Sequence, residues 1–247
     1  MIPKIIHYCW FGKKEKPKEV NDFILTWKKV LPAYQIIEWN ESNFDLNFNQ
    51  YVKEAYDKRK YAFVSDVCRL YALKKMGGVY LDTDVEVLKT FDSFLIKNSS
   101  FLGEEQKGKL LGTAVIGAEP CCPWICRFIE LYNTLSFVKK NGALDITPNT
   151  ERLTHFLKKS KILGPKVYPI DYFCAKDYKS GRIIITDNTV CVHHYAGSWV
   201  EPLKCEKYEA LFWKIFGMKN LNILGKFYGR LLLPIKNFLN YISTQKF

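Results

Sequence analysis

The 247-residue chain has no run of about eighteen or more apolar residues, so no segment has the length and polarity of a membrane-spanning helix. It also lacks internal repeats, low-complexity tracts and Pro- or Ser-rich linkers. Hydrophobic residues make up 48% of the sequence, which is enough for one large core. We therefore expect one principal domain rather than several.

Zinc-type cysteine pairs are absent as well, although the chain has eight cysteines. The densest group, Cys121-Cys122-Pro-Trp-Ile-Cys126, has neither a second pair nor a histidine at ligand spacing. The N-terminus begins with a strand-like segment rather than a secretory signal. We therefore expect a cytoplasmic protein whose cysteines remain reduced.

A helical pattern precedes Gly77, a residue that suits the end of a helix. Its core-facing stripe consists of Val64, Val67, Cys68, Tyr71 and Ala72. Asp66 and Arg69 fall on the opposite face together with Leu70 and Leu73, so we expect that face to be covered too. Taken alone, Asp66 and Arg69 fit an ordinary surface ion pair at i, i+3 spacing.

The residues from Val79 to Leu88 alternate in polarity, which predicts a strand. Asp82 and Asp84 would then share one face with Tyr80. Two carboxylates at this spacing repel each other unless a positive charge lies beside them, and a hard divalent cation supplies it. An isolated Asp-x-Asp is common, but its position after a charged helix and a Gly-Gly pair is much rarer. The pattern favours a site for a sugar nucleotide.

Two motifs occur in order, Ser65-Asp66-x-x-Arg69 and Gly77-Gly78-x-Tyr80-x-Asp82-x-Asp84. Together they resemble the signature of glycosyltransferase family 32. That family includes Golgi mannosyltransferases and bacterial polysaccharide enzymes, and its core is similar to that of the clostridial toxin glucosyltransferases. The opening Ile2–Gly12 resembles the family's first strand. The resemblance covers the N-terminal part well, His193–Trp199 moderately, and the middle and the C-terminal end poorly.

The resemblance implies a role for each matching residue. Asp66 and Arg69 align with the pair that contacts the hydroxyls of the donor sugar and the diphosphate. Asp82 and Asp84 align with the Asp-x-Asp motif, in which one carboxylate reaches the ribose or the sugar and the other binds Mn²⁺ or Mg²⁺. Trp10 aligns with an aromatic residue that stacks on the uracil ring.

Tyr8, Tyr80 and Thr83 complete the predicted donor-binding residues near these motifs. Two of the aromatic assignments have ordinary alternatives. Trp10 also fits a core tryptophan at the end of a strand, and Tyr80 also fits a strand tyrosine that faces a neighbouring helix.

A second cluster, Val192–Trp199, contains two of the chain's four histidines. A neutral imidazole can complete an oxygen-rich manganese site. His194-Tyr-x-Gly197 resembles the C-terminal metal-binding motif of related retaining galactosyltransferases, so we predict His194 as a ligand and Gly197 as a close backbone approach to phosphate. Ser198-Trp199 resembles the toxin loop that closes over the diphosphate and supports the leaving group. The histidine pair also fits a strand end with one residue buried and the other exposed.

The chain departs from the family pattern at two places. In Leu111–Pro120 many relatives carry an asparagine near the start, where this chain has Thr113. Ile146–Thr150 occupies the place of a frequent Gly-Pro followed by Thr. The choice of donor sugar and the contacts with the acceptor therefore stay open.

Strand-like and helical segments alternate along the chain, which predicts an α/β fold. The predicted strands are 4–10, 35–39, 79–88, 112–118 and 183–185, and the most regular helices outside the motifs are 23–31 and 49–60. The resemblance implies a fold of the GT-A type, with a mostly parallel central sheet flanked by helices. Residues 1–217 are the predicted catalytic domain.

The C-terminal segment differs in charge from the rest. Residues 202–247 carry eight Lys or Arg and two Glu, which is +6 of the net +12. Apolar residues at helical spacing with a basic opposite edge predict amphipathic helices over 218–247 that lie on an anionic membrane, interrupted at Pro234. The alternative is a helix pair packed on the domain. A nucleic-acid partner is not expected, because no recognised binding fold accompanies the charge.

We therefore expect a metal-dependent retaining glycosyltransferase, peripheral on the inner face of the cell membrane, that uses a nucleotide-sugar donor. The donor would be a UDP-linked hexose, and the acceptor a saccharide, lipid-linked, in surface polysaccharide or capsule biosynthesis. One rival is a phosphohydrolase with its nucleophile in Leu81–Val85, but the later aspartates are isolated and supply no magnesium pair. A non-enzymatic membrane-adsorbing module would leave the array from Asp66 to Asp84 without a purpose.

Overall fold

The computed structural model describes residues 1–178 and 180–197, which form eight strands and seven helices. The strands are β1 (Ile5–Cys9), β2 (Gln35–Trp39), β3 (Gly78–Leu81), β4 (Val85–Val87), β5 (Ser100–Gln106), β6 (Leu110–Ala118), β7 (Lys166–Tyr168) and β8 (Cys191–His193). The helices are α1 (Lys18–Val30), α2 (Gln50–Asp57), α3 (Tyr61–Met76), α4 (Asp92–Lys97), α5 (Pro123–Asn133), α6 (Asn149–Lys159) and α7 (Ile170–Phe173). Within these residues, no helix is both long and apolar enough to cross a membrane.

The main sheet has six strands in the order β2-β1-β3-β6-β5-β7. β2, β1 and β3 run parallel, β6 runs antiparallel to both of its neighbours, and β7 is parallel to β5. Five of the six strands thus point the same way. β4 and β8 form a separate antiparallel pair. The prediction of an α/β fold with a mostly parallel central sheet flanked by helices is confirmed.

Both faces of the sheet are buried, as a mostly parallel sheet flanked by helices requires. One core contains the inner faces of α2, α3 and α5, with Trp124 and Phe128 fully buried. The other contains Trp27 of α1 and the aromatic cluster of Phe91, Phe101 and Phe173. Because neighbouring strand residues point to opposite faces, β1, β2, β3, β5 and β6 each contribute to both cores.

Helix α3 is covered on every side along most of its length, as expected from the sequence. Leu70 and Leu73 are fully buried, and Asp66 and Arg69 are only 8% and 5% exposed. A charged pair at such depth must be satisfied by other groups, because an unpaired buried charge is costly. The ordinary surface-pair interpretation of Asp66 and Arg69 is therefore wrong.

The Gly-Gly pair that follows α3 holds the chain in backbone conformations that other residues rarely adopt. Gly77 has φ 65° and Gly78 has φ 105°, and a Cβ on Gly78 would lie 2.6 Å from the carbonyl oxygen of Ile5. Buried His7 lies 2.7 Å from the Gly77 carbonyl through Nε2 and accepts from Trp39 Nε1 through Nδ1. Since Nδ1 accepts, Nε2 carries the proton and donates to Gly77. This contact fixes where β3 starts, and thereby where Asp82 lies.

The predicted continuous strand 79–88 is wrong. β3 ends at Leu81 and β4 begins at Val85, with a turn between them in which the Val85 amide donates to the Asp82 carbonyl. Asp82 and Asp84 therefore belong to a turn and do not share a strand face. The chain leaves the main sheet here and pairs with β8 instead, and aspartate favours such turns.

The predicted strand 183–185 is also wrong. Ile183 makes only an isolated bridge with Lys176, and Ile184 and Ile185 are more than half exposed. The helix predicted at 23–31 begins earlier, at Lys18, and the one predicted at 49–60 ends at Asp57. The predicted C-terminal helices at 218–247 lie outside the described residues, so the division between 1–217 and 218–247 stays a prediction.

Candidate active site

Three side chains that can bind a metal ion lie together beyond the end of β3. Asp82 and Asp84 come from the turn between β3 and β4, and His193 comes from the end of β8. One ligand atom of each lies within 4.8 Å of the other two. His193 Nε2 is 3.4 Å from Asp84 Oδ1. The predicted strand face was expected to bring Asp82 and Asp84 together. The turn brings them together instead, with both carboxylates directed at one point.

The histidine in this cluster is His193, and the choice of His194 is corrected. His194 Nε2 lies 2.9 Å from Glu86 Oε2, and its ring stacks on Phe23 with centroids 4.7 Å apart. β8 pairs with β4 in a register that sets His193 opposite Val85. Neighbouring residues of a strand point to opposite sides, so only one of the two histidines can face the aspartates.

Asp84 is held by the loop that follows β8. The Ala196 amide donates to Asp84 Oδ2 (2.7 Å), and the His194 amide donates to the Asp84 carbonyl (2.9 Å). Between them, Tyr195 has φ 55°, a left-handed conformation that is rare for a tyrosine. Burial raises the pKa of Asp84, but its pairing with His193 and the Ala196 amide outweighs this effect, so the pKa lies below its usual value. Asp84 is therefore ionised at neutral pH.

His193 responds to the same pairing. Burial is the largest single effect and lowers its pKa, but the interactions with Asp84 and Cys174 together outweigh it and raise the pKa well above the usual value. A histidine that binds a metal must give up the proton at the ligating nitrogen. Asp84, which stabilises the proton on His193 here, would instead share a bound cation with the His193 imidazole.

Arg69 connects the predicted donor-binding residues. Its guanidinium NH2 lies 2.9 Å from Asp66 Oδ1 and 3.3 Å from Asp82 Oδ1, and NH1 donates to the Thr113 carbonyl (2.7 Å). The guanidinium carbon also lies 4.6 Å from the centre of the Tyr80 ring. A planar fork can serve these four groups at once, which a compact ammonium group cannot do.

Tyr80 is fully buried, and its hydroxyl donates to Asp82 Oδ1 (2.8 Å). Tyr80 faces a neighbouring helix, as one interpretation expected, because it packs against Arg69 of α3. It also lies at the predicted site, because it orients the carboxylate of Asp82. Burial raises the pKa of Asp66 to about 6, although Arg69 opposes this shift. Asp66 also accepts a hydrogen bond from Asn149 Nδ2 (3.1 Å).

The other predicted donor residues are placed as follows. Trp10 is half-buried just after β1, and its Nε1 donates to the Lys14 carbonyl (2.6 Å). Tyr8 is buried with its ring edge against Trp27 and donates to Glu38 Oε2, so its hydroxyl is directed at Glu38 rather than at the aspartates. Thr83 is half-buried in the turn, and Gly197 has φ 66°. Ser198 and Trp199 lie outside the described residues, so their roles stay predictions.

Sequence reasoning missed two polar neighbours of the site. Asn149 at the start of α6 donates to Asp66. Burial raises the pKa of Glu105 near the end of β5, and the charges of His193 and Asp82 act on this pKa as well. The position of Asn149 coincided with a departure from the family pattern, which was a usable signal. For Glu105 the sequence offered none, because its position depends on how β5 and β6 are paired.

Comparisons with known proteins agree with the motifs. Residues 17–101 match the family described as a glycosyltransferase sugar-binding region containing a DXD motif. An uncharacterized glycosyltransferase of Acanthamoeba polyphaga mimivirus is 31% identical over 158 residues, which are 61% of each chain. Inositol phosphoceramide mannosyltransferase 3 of Schizosaccharomyces pombe is 32% identical over 98 residues, which are 38% of this chain and 27% of that one.

Among solved structures, the PaToxG glycosyltransferase aligns with a TM-score of 0.46 and 21% identity, over 54% of this chain and 61% of that one. A glycosyltransferase involved in glycosylation of the major capsid of PBCV-1 aligns with a TM-score of 0.45 and 14% identity, over 77% and 93% of the two chains. The family match and the two sequence relatives confirm the predicted similarity to the DXD-motif glycosyltransferases. The matched segments span less than two thirds of either sequence relative.

Proposed function

We propose that this protein is a metal-dependent, retaining glycosyltransferase that moves a hexose from a UDP-linked donor to a saccharide acceptor. The main support for the proposal is that the candidate metal cluster and the Arg69 network share one residue. Asp82 belongs both to the candidate metal cluster and to the network of Arg69, Tyr80 and Asp66. A cation and a guanidinium that share one carboxylate can bind the same diphosphate from two directions.

The cluster fits Mn²⁺ or Mg²⁺ by its chemistry. Two carboxylates and one imidazole are ligands that manganese accepts, and their ligand atoms lie within 4.8 Å of one another. When bound, the cation supplies positive charge to the diphosphate as it leaves. His193 presents Nε2 to the cluster, 3.4 Å from Asp84 Oδ1, so Nε2 is the nitrogen that would bind the cation.

The remaining roles belong to the chain's own side chains. Arg69 neutralises charge on the leaving diphosphate, and Tyr80 keeps Asp82 oriented. Asp66 accepts hydrogen bonds from hydroxyls of the donor sugar, while half-buried Trp10 stacks on the nucleotide base. By resemblance, the Ser198-Trp199 loop closes over the diphosphate. These assignments need no enzymic nucleophile.

We further propose a lipid-linked saccharide acceptor in surface polysaccharide biosynthesis, used by an enzyme on the cytoplasmic face of the membrane. The support for this part is the composition of residues 202–247, which carry half of the net charge of +12. A basic segment with interleaved apolar residues is attracted to anionic lipid.

The test measures Mn²⁺-dependent binding and slow hydrolysis of a panel of nucleotide sugars by the purified protein. Asp84→Asn keeps an oxygen that can accept from the Ala196 amide but removes the charge, so the loop should survive while Mn²⁺-dependent donor binding falls at least about tenfold. His193→Ala should weaken Mn²⁺ binding more than His194→Ala, which removes the neighbouring imidazole from its contact with Glu86.

Thermal unfolding of each variant checks that the fold is intact. Equal donor affinity in the wild type and Asp84→Asn, with Mn²⁺ present, would refute the metal site. A larger effect of His194→Ala than of His193→Ala would restore the sequence-based choice of ligand. Release of phosphate from simple phosphate esters without sugar transfer would favour the phosphohydrolase.

A further inference from the structure

A short hairpin lies in the chain between α7 and β8. Lys176 forms an isolated antiparallel bridge with Ile183, and the Asp177 carboxylate accepts hydrogen bonds from the Ser180 amide (2.6 Å) and hydroxyl (2.5 Å) at the turn. We call this segment the 176–183 hairpin, of which the structure describes residues 176–178 and 180–183. Its bridge and its turn give it a defined shape.

Two side chains of the 176–183 hairpin contact the loop that follows β8. Lys176 Nζ donates to the His194 carbonyl (2.6 Å), and the Tyr178 ring meets the Tyr195 ring edge-on, with centroids 5.3 Å apart. Lys176 and Tyr178 are two positions apart, so they lie on the same side of an extended segment. The hairpin therefore holds two consecutive loop residues.

The loop needs such support because the backbone of Tyr195 is strained. Its φ of 55° is a left-handed conformation, which costs free energy in a residue that has a Cβ. β8 ends at His193, so Tyr195 lies beyond the ladder of hydrogen bonds that β8 makes with β4. Contacts around Tyr195 must keep it in this conformation, and the 176–183 hairpin supplies two of them.

The peptide geometry of the loop connects the hairpin to Asp84. The carbonyl that accepts from Lys176 belongs to the peptide plane before Tyr195, and the Ala196 amide belongs to the plane after it. Lys176 thus fixes the first plane, and the second presents the Ala196 amide to Asp84 Oδ2 (2.7 Å). The other carboxylate oxygen, Oδ1, is the one that lies 3.4 Å from His193 Nε2. Occupation of Oδ2 in this way directs Oδ1 at the metal cluster.

We propose that Lys176 and Tyr178 are positioning residues, which hold the loop 194–196 so that Asp84 is oriented for a divalent cation before the cation binds. Groups that orient a metal ligand in advance increase metal affinity. Lys176 acts only through the loop, because a protonated amine has no electron pair to offer a cation. This inference rests on the proposed function, since it requires Asp84 to be a metal ligand.

The experiment measures Mn²⁺ affinity by calorimetry, and hydrogen exchange of backbone amides by NMR in the metal-free protein. The variants of the full chain are Lys176→Met, Lys176→Arg and Tyr178→Ala. Lys89→Met is the matched control, because Lys89 Nζ donates to the Asp187 carbonyl at the same distance of 2.6 Å. That contact lies at the other end of the β4–β8 pair, where the Lys89 amide donates to the Val190 carbonyl.

We expect Lys176→Met and Tyr178→Ala each to weaken Mn²⁺ binding about tenfold, as for loss of a group that supports a metal ligand. The Ala196 amide should exchange at least about fivefold faster, while the amides of β3 exchange as in the wild type. Lys176→Arg keeps a charged donor and should retain most of the affinity, and Lys89→Met should match the wild type. Removal of a positive charge alone would strengthen cation binding, so a general charge effect has the opposite sign to the expected loss.

Unchanged Mn²⁺ affinity in Lys176→Met and Tyr178→Ala would overturn the inference. Faster exchange at amides throughout the protein, or an equal loss of affinity in Lys89→Met, would leave the contacts with only a structural role. A Lys176→Arg variant as weak as Lys176→Met would show that the hydrogen bond to the loop is not the cause. A wild type that does not bind Mn²⁺ would refute the proposed metal site itself. The exchange of the Ala196 amide in metal-free protein would then still show whether the 176–183 hairpin holds the loop, which separates the two failures.

Discussion

Arg69 is buried among groups that no other side chain could satisfy together. It contacts the carboxylates of Asp66 and Asp82 and the carbonyl of Thr113, and it packs on the face of Tyr80. Removing one of these contacts would leave a buried acceptor without its donor, which costs about 1–3 kcal/mol. The guanidinium therefore has a structural task in addition to any contact with a substrate.

Arg69→Lys tests whether that planar fork is needed. Lysine keeps the charge but presents a single point donor, so Asp82 should lose its orientation and kcat/KM should fall about tenfold or more. The measurement is donor turnover with Mn²⁺, together with the thermal unfolding midpoint. Arg127→Lys is the matched control, because Arg127 and Glu130 form an i, i+3 pair of the same type on an exposed helix face.

The control should leave turnover and the unfolding midpoint nearly unchanged, since exposed pairs contribute little. Nearly normal turnover in Arg69→Lys would mean that Asp82 does not depend on the fork. A loss of stability without loss of turnover in the folded fraction would assign Arg69 a purely structural role.

How far the sequence predicts the site differs from residue to residue. Asp82 and Asp84 were found from their spacing, and the structure brings them together, although through a turn. His193 could not be separated from His194, because the choice depends on the register of β8 against β4, which is a tertiary property. Tyr8 was among the predicted donor-binding residues, but strand alternation turns its side chain into the core beside Trp27.

Among the elements, α6 reaches the site through its first turn. Asn149 contacts Asp66, and one turn further Arg152 binds Asp145 in the preceding loop (2.7 Å). Asp145 is 7% exposed and also accepts from the Thr147 hydroxyl (2.6 Å). The loop and the helix are thus tied together, and Asn149 connects them to Asp66 of α3.

Asp145→Asn should destabilise the protein by about 1–3 kcal/mol near pH 7. Burial raises the pKa of Asp145, but Thr147 and Arg152 outweigh it and lower the pKa below its usual value. The unfolded chain therefore binds the proton more tightly than the native protein does. The stabilising effect is present above the unfolded pKa of about 3.9 and disappears as the pH falls through the lower folded pKa.

Urea unfolding at pH 7 and near pH 3 checks this prediction. The wild type and Asp145→Asn should differ at neutral pH and converge in acid. Asp22→Asn, which removes an exposed carboxylate paired with Lys18, is the control and should change little at either pH. A gap between the wild type and Asp145→Asn that persists in acid would mean that the ionised carboxylate does not carry the stabilisation.

The elements show where periodicity suffices as a guide. β1 and β2 match their predictions closely because each alternates within one sheet. The predicted strand 79–88 has an equally good alternation but spans two sheets, and the pattern of a single chain segment does not reveal a change of pairing partner. Ile183–Ile185 has high strand propensity but no neighbouring strand to complete a ladder, so propensity alone does not make it a strand.

For the molecule as a whole, the alternation of strand-like and helical segments was enough to predict an α/β fold, and the family resemblance implied a mostly parallel sheet. The reversal of β6 and its irregular pairing with β5 were not predictable, since they arise from contacts distant in sequence. Thr113, whose carbonyl accepts from Arg69 NH1, lies in this irregularly paired stretch of β6.

Charge is unevenly distributed over the whole chain, and this leads to a prediction about its location. Residues 202–247 lie outside the described part, but their composition is known. Five basic residues follow Gly217 and interleave with apolar ones: Lys219, Lys226, Arg230, Lys236 and Lys246. Each contributes about 1 kcal/mol near an anionic surface, so together they would raise membrane affinity roughly several thousandfold.

Truncation after Gly217 should release the protein from phosphatidylserine vesicles, reduce transfer to a lipid-linked saccharide and spare slow donor hydrolysis in solution. Replacing the five basic residues by Gln in the full chain should give the same release, and higher salt should weaken binding of the wild type, because the attraction is electrostatic. Sedimentation with anionic and with neutral vesicles measures each effect. If the truncated chain binds vesicles as well as the full one, the segment is not the anchor. If truncation gives an unfolded protein while the Gln variant folds and still binds vesicles, these residues belong to the core, and the basic side chains are only its solvated face.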